Sequence, residues 1–298
     1  MLGQYLITFR EVLEAALITS IIIAYFIRTD KKHLVKYVWI GAIFAVFAGI
    51  IIAITVSILY GGLSSSDAKL FEGMAAIIAV IVLTSMILWM ALKGKDIKKE
   101  IDQKISQTVT KGTIISLIMF SFIVVFREGF ETVLFLIPFG ANDLAGTIAG
   151  ALLGIASALI ISYLIFRMGV KVNLTRFFYL TSILLVLLAA GLLGYGVHEI
   201  ISYQNAVGIN PGWLGSYAFN LNIADGSLFH HKGAVGSIFA VMFGYSIKME
   251  WARVIAHLSY LIIFLPLTIF AYRKPEYLDF LRRIIEIFKK LKLLETKK

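Results

Sequence analysis

Seven stretches of about 20 predominantly apolar residues run through this chain: Gln4–Ile27, Lys36–Tyr60, Leu70–Leu92, Thr113–Ile137, Leu144–Phe166, Phe177–Ile200 and Trp251–Tyr272. A helix of that length spans the ~30 Å hydrocarbon core of a bilayer. Lipid offers no partner for backbone N–H and C=O groups, so each stretch must close its own hydrogen bonds as a helix. The composition agrees: 59% of residues are hydrophobic and 15% are charged, where a soluble domain carries about 25% charged residues. The expected fold is an all-α polytopic membrane protein with seven transmembrane helices. The first apolar run carries charges and is followed by no small-residue cleavage site, so it is expected to remain as a span. A further apolar piece, Ala234–Ile247, is too short to cross and reads as re-entrant or interfacial.

Lysine and arginine sort by loop. Residues 28–36, 93–111, 167–176 and the tail from Arg273 hold four, six, three and nine of them, 22 in all. The opposite side holds Lys69, Lys232 and Lys248. Cationic loops stay in the cytoplasm, so the N-terminus is expected outside and the C-terminus inside a plasma membrane. The net charge of +10 is thus an orientation signal for the bilayer, and no nucleic-acid partner is expected. After Pro275, apolar residues recur at helical spacing between lysines and arginines, so 273–298 reads as a basic amphipathic cytoplasmic tail.

An internal repeat crosses this pattern. The first span contains Phe9-Arg10-Glu11-Val12-Leu13-Glu14 with Leu17 following. The fourth contains Phe126-Arg127-Glu128-Gly129-Phe130-Glu131 with Leu134 following. The units are residues 1–92 and 113–200, three spans each, with an external segment 201–250 and a seventh span 251–272 outside the repeat. An odd number of spans per unit inverts the second copy, a recurrent transporter plan with the site at the repeat interface. Both motifs sit about four residues, ~6 Å, to the outer side of mid-span.

Charges inside a membrane core cost several kcal/mol each and call for a function. Residues three apart share a helix face, so Glu11 and Glu14 point together, as do Glu128 and Glu131. Arg10 and Arg127 lie four residues before the second glutamate of each motif and are placed to pair with it. Four carboxylates against two guanidiniums leave a surplus of negative charge that a cation can neutralise. Oxygen ligands suit hard cations, and ferric iron, magnesium, calcium and manganese all fit. There is no cysteine, so disulfides and thiolate metal sites are excluded, and the eight methionines do not cluster near either motif.

The two motifs resemble those of the oxidase-dependent iron transporter family, which carries Arg-Glu-x-x-Glu in its first and fourth spans within a seven-span chain. Phe71-Glu72-Gly73 and His198-Glu199 are similar to the family as well. The resemblance covers residues 1–272. It implies a permease importing iron as Fe3+, with the glutamates of both motifs at the metal and the arginines as their ion-pair support. It also implies a separate extracytoplasmic iron oxidase or iron-binding protein as a partner. Iron is then substrate, and no permanently bound cofactor is expected. The same scaffold with another cargo, such as lead or manganese, is the alternative.

Glu72 and Glu199, with Asp67 and Asp143 nearby, are expected to form an acidic outer mouth with His198. Asp225 and His230 in the external segment extend the set that recruits cations. Gly146, Gly150 and Gly154 form a small-xxx-small stripe, joined in the sixth span by Gly191 and Gly194, that favours close helix packing. An enzyme is not expected. No phosphate loop is present, and no Glu-x-x-His of the kind that builds di-iron bundles occurs.

Overall fold

The computed structural model describes residues 1–93, 114–168, 174–224, 227–229, 236, 239–240 and 244–273. Among the described residues seven long helices dominate: α1 (Leu2–Arg28), α2 (Val35–Gly61), α3 (Ser65–Lys93), α4 (Ile114–Asn142), α5 (Leu144–Met168), α6 (Leu174–Ala206) and α7 (Trp251–Arg273). Between α6 and α7 lie two short strands, β1 (Tyr217–Asn220) and β2 (Lys248–Glu250), paired antiparallel. Five helices, α2, α3, α5, α6 and α7, are long and apolar enough to cross a membrane by composition alone. The other two, α1 and α4, are as long and carry the Arg-Glu-x-x-Glu motifs.

Local chemistry sets several helix starts. At α3, the Ser64 hydroxyl accepts the Asp67 backbone N–H as an N-cap and donates to the Asp67 carboxylate. At α5, Asp143 accepts the backbone N–H of Gly146 at 2.8 Å. Of the two acidic residues expected near an outer mouth, Asp143 thus caps α5 and Asp67 accepts the hydroxyl of the α3 cap Ser64. The 201–250 segment is also not all loop, because α6 continues to Ala206. Ala234–Ile247 lies largely outside the described residues, as do Asp225, His230 and the tail after Arg273.

Glycines decide which helices touch. A Cβ on Gly150 would sit 2.8 Å from the Met1 carbonyl oxygen, and one on Gly154 would sit 2.8 Å from that of Tyr5, so α5 lies backbone to backbone on α1. Gly41 brings α2 equally close to α4 at Phe122, and Gly73 meets Gly196 where α3 crosses α6. Gly146 plays no such part, since a Cβ there would meet its own cap Asp143. Gly194 faces Arg253 and His257 of α7. The closest helix pairs are thus α1 with α5, α2 with α4 and α3 with α6.

The main core runs along α3 and α6. Ala79, Leu83, Ile87 and Met90 pack on Leu185, Val186 and Ala189, with Ile7, Phe135 and Tyr260 closing the cluster. The outside is inverted relative to a soluble protein. Phe44, Phe47, Ile51 and Ile58 of α2 all stand exposed, as a lipid-facing surface requires.

Candidate cation site

The two motifs meet inside the bundle. Arg10 is 2% exposed and forks between two carboxylates of its own helix. Its Nη1 lies 2.6 Å from Glu11 Oε1, and its Nη2 lies 2.6 Å from Glu14 Oε1. The fork geometry of guanidinium suits this double grip. Nη1 also reaches the sulfur of Met86 on α3 at 3.4 Å. On α4, Arg127 Nε holds Glu131 Oε1 at 2.9 Å, the i,i+4 pairing its spacing predicts. The guanidinium of Arg127 lies over the ring of Trp89, 5.1 Å from its centre.

Glu11, Glu128 and Glu131 are all buried, and an oxygen from each lies within 4.8 Å of the others. In each of the three, Oε2 is buried with no hydrogen-bond partner. Buried polar atoms are satisfied in nearly all folded proteins, so three orphaned oxygens in one cluster point to a missing positive partner. Glu14 is the fourth expected ligand. It stays on Arg10, outside the set of three, but within the same electrostatic cluster as Glu131 and Arg127.

A second polar group stands at the end of α3 away from Lys93. Glu72 is buried and accepts hydrogen bonds from Tyr60 (2.5 Å) and from Tyr195, which joins α2, α3 and α6. Glu199 lies in the field of His198, Glu72, Lys69 and Arg253. His198 Nδ1 lies 2.9 Å from Glu250 Oε1. Burial pushes the Glu250 carboxyl up, but the hydrogen bond and charge of His198 outweigh it and hold the group below its ordinary value. Glu72 and Met86 are 14 residues apart on one helix, which separates this group from the arginine contact by ~21 Å. The sequence-expected mouth residues Glu72, His198 and Glu199 thus share one end of the bundle. His257 is a packing residue, with Nδ1 2.9 Å from the Ala190 carbonyl oxygen.

Sequence reasoning missed four participants. Met86 touches Arg10 although no methionine is near the motifs in sequence. Trp89 and Tyr195 are ordinary aromatic residues of apolar spans, with no local signal. Glu250 had one: it is the last charge before the run beginning at Trp251.

Comparison with known proteins places the chain in a family. A model of the iron permease FTR1 family matches residues 1–270. An uncharacterized protein of Archaeoglobus fulgidus is 45% identical over 261 residues, covering 88% of this chain and 92% of that one. The ferrous iron permease EfeU of Escherichia coli O6:H1 is 35% identical over 195 residues, 64% of this chain and 71% of its own. EfeU of Yersinia pestis is 36% identical over the same length, covering 69% of its own chain. No solved structure matches.

Proposed function

This chain belongs to the iron permease FTR1 family, and from that premise we propose that it passes ferric iron through a site made by the glutamates of its two Arg-Glu-x-x-Glu motifs. The observation that carries the reading is the convergence of Glu11, Glu128 and Glu131 with three unpartnered buried oxygens. Every ligand offered is a carboxylate oxygen, which favours a hard, highly charged cation over a softer one. Glu14 completes the set by leaving Arg10 as the cation enters. Arg10 and Arg127 keep the empty cluster from carrying four uncompensated charges. The relatives from Escherichia coli and Yersinia pestis bear the name of ferrous iron permeases, so oxidation state is the point to test.

The helix pairing supports an inverted repeat. Exchanging α1 with α4, α2 with α5 and α3 with α6 turns the α1–α5 pair into α4–α2 and leaves α3–α6 as itself. In this reading the N-terminus is outside a plasma membrane and Glu72, His198 and Glu199 receive the cation first. A separate extracytoplasmic oxidase or iron-binding protein supplies it.

The test is radioactive iron uptake into proteoliposomes, run once with a ferric chelate and once with ferrous iron under ascorbate. Uptake from the ferric side that is lost in both Glu131→Ala and Glu14→Ala supports the proposal. Uptake of ferrous iron alone removes the ferric assignment. Accumulation of manganese or lead with no iron response replaces the cargo.

A further inference from the structure

Arg127 stands in a place where a bilayer cannot tolerate it. It follows Ile114 by 13 residues and precedes Asn142 by 15, so it lies ~20 Å from either end of α4. Its side chain is nevertheless 46% exposed. The residues one turn to either side on the same face are Ile123 (58% exposed) and Phe130 (46%). Trp89, beneath the guanidinium, belongs to the neighbouring exposed face of α3, which also carries Ile78, Ile81 and Ser85. An arginine half-open to hydrocarbon at mid-depth costs several kcal/mol at least. The remaining charged groups of the cluster, Arg10, Glu11, Glu14, Glu128 and Glu131, are buried. Arg127 is therefore the one member through which the cluster reaches the surface.

We propose that the crevice between α3 and α4 at Arg127 is filled with water and is the access route to the carboxylate cluster, with Trp89 as the seat that positions Arg127 at its opening. Water there removes the cost of exposing the guanidinium. The indole face holds the cation by its quadrupole without competing for its N–H donors. Among the described residues Arg127 is hydrogen-bonded through Nε to Glu131 alone, whereas the buried Arg10 forks between two carboxylates. The proposal rests on the permease reading only for the identity of what passes.

The chain contains no cysteine, so single thiols report without background. A thiol in lipid does not ionise, and only the thiolate attacks a methanethiosulfonate. Ile123→Cys and Phe130→Cys, in proteoliposomes, are treated with a charged, membrane-impermeant methanethiosulfonate, with Phe47→Cys on the exposed face of α2 as the lipid control. Labelling after denaturation confirms that each thiol is present. Expected is modification of both crevice thiols at least tenfold faster than the control, and loss of iron uptake on modification. Rates equal to the control mean a lipid-covered face and overturn the proposal. Disulfide-linked dimers through Ile123→Cys, with no labelling, mean that a second copy covers it, and overturn it too. Fast labelling without iron uptake in any variant keeps the crevice and sinks the permease reading. Trp89→Phe should restore, and Trp89→Leu should not, the parental apparent KM for iron at unchanged protein level; equal KM in both removes Trp89 as the seat.

Discussion

Arg10 and Arg127 hold the same position in two copies of one six-residue pattern, yet the first is 2% exposed and the second 46%. Arg10 is enclosed because its own helix lies against α5 through glycines while Met86 of α3 closes over its guanidinium. It grips two carboxylates. Arg127 grips one and is covered on one side by Trp89. The seventh helix packs on α6 and α3. Two copies of one pattern therefore sit in different surroundings: Arg10 is enclosed between two carboxylates, and Arg127 stands half open on one.

The sharpest way to break this comparison is to remove each arginine. Arg10→Gln strands two buried carboxylates and is expected to cost about 3–5 kcal/mol, as breaking buried pairs does. It should read out as loss of monodisperse protein in detergent. Arg127→Gln removes a partly solvated pair worth about 1 kcal/mol or less, so thermal unfolding in detergent should barely move while uptake falls. Equal destabilisation by the two would erase the difference between the enclosed and the open arginine.

The next largest effect concerns the crossing of α1 and α5 beside Arg10. Gly154→Leu places a side chain where a bare Cβ would already meet the Tyr5 carbonyl oxygen and the Phe9 amide within 3 Å. It should cost a few kcal/mol and lower the melting temperature, whereas Gly129→Ala, with open space at its Cβ, should not. A smaller effect is expected at Glu72. Glu72→Gln keeps an acceptor for one of the tyrosines, so folding should survive with uptake reduced a few-fold at low iron. Unchanged uptake at all iron concentrations would remove Glu72 from the cation path.

The smallest effect is a pH dependence at Glu250. Its carboxyl is held below its ordinary value by His198 in the folded chain. A depressed carboxyl contributes stability that is complete above the unfolded pKa and lost as pH falls through the lowered folded pKa. Glu250→Gln should therefore be less stable than the parent at pH 6 and converge with it in acid. A constant difference across pH would assign the role to packing.

Much of this was legible in the residues. Apolar runs of membrane length give helices whatever surrounds them, because lipid leaves the backbone no alternative. Glu11 with Glu14 and Glu128 with Glu131 share faces because helical spacing is local, and Arg127 pairs with Glu131 for the same reason. Asp143 shows the limit of reading charge alone: it looks like a mouth carboxylate, but at a helix start its oxygen is claimed by the orphaned N–H of Gly146.

What tertiary structure alone decided is which groups meet across helices. Glu11 reaches Glu128 and Glu131 while Glu14 stays on Arg10, and Met86, Trp89, Tyr195 and Glu250 come to polar partners that their own segments do not announce. Crossing angle and depth are set by where two backbones can touch, at Gly41, Gly73, Gly150, Gly154 and Gly196. Composition specified that this chain is helical and buried in lipid. Contact between distant segments chose the exposed arginine, because burial is a property of neighbours and no single helix carries it.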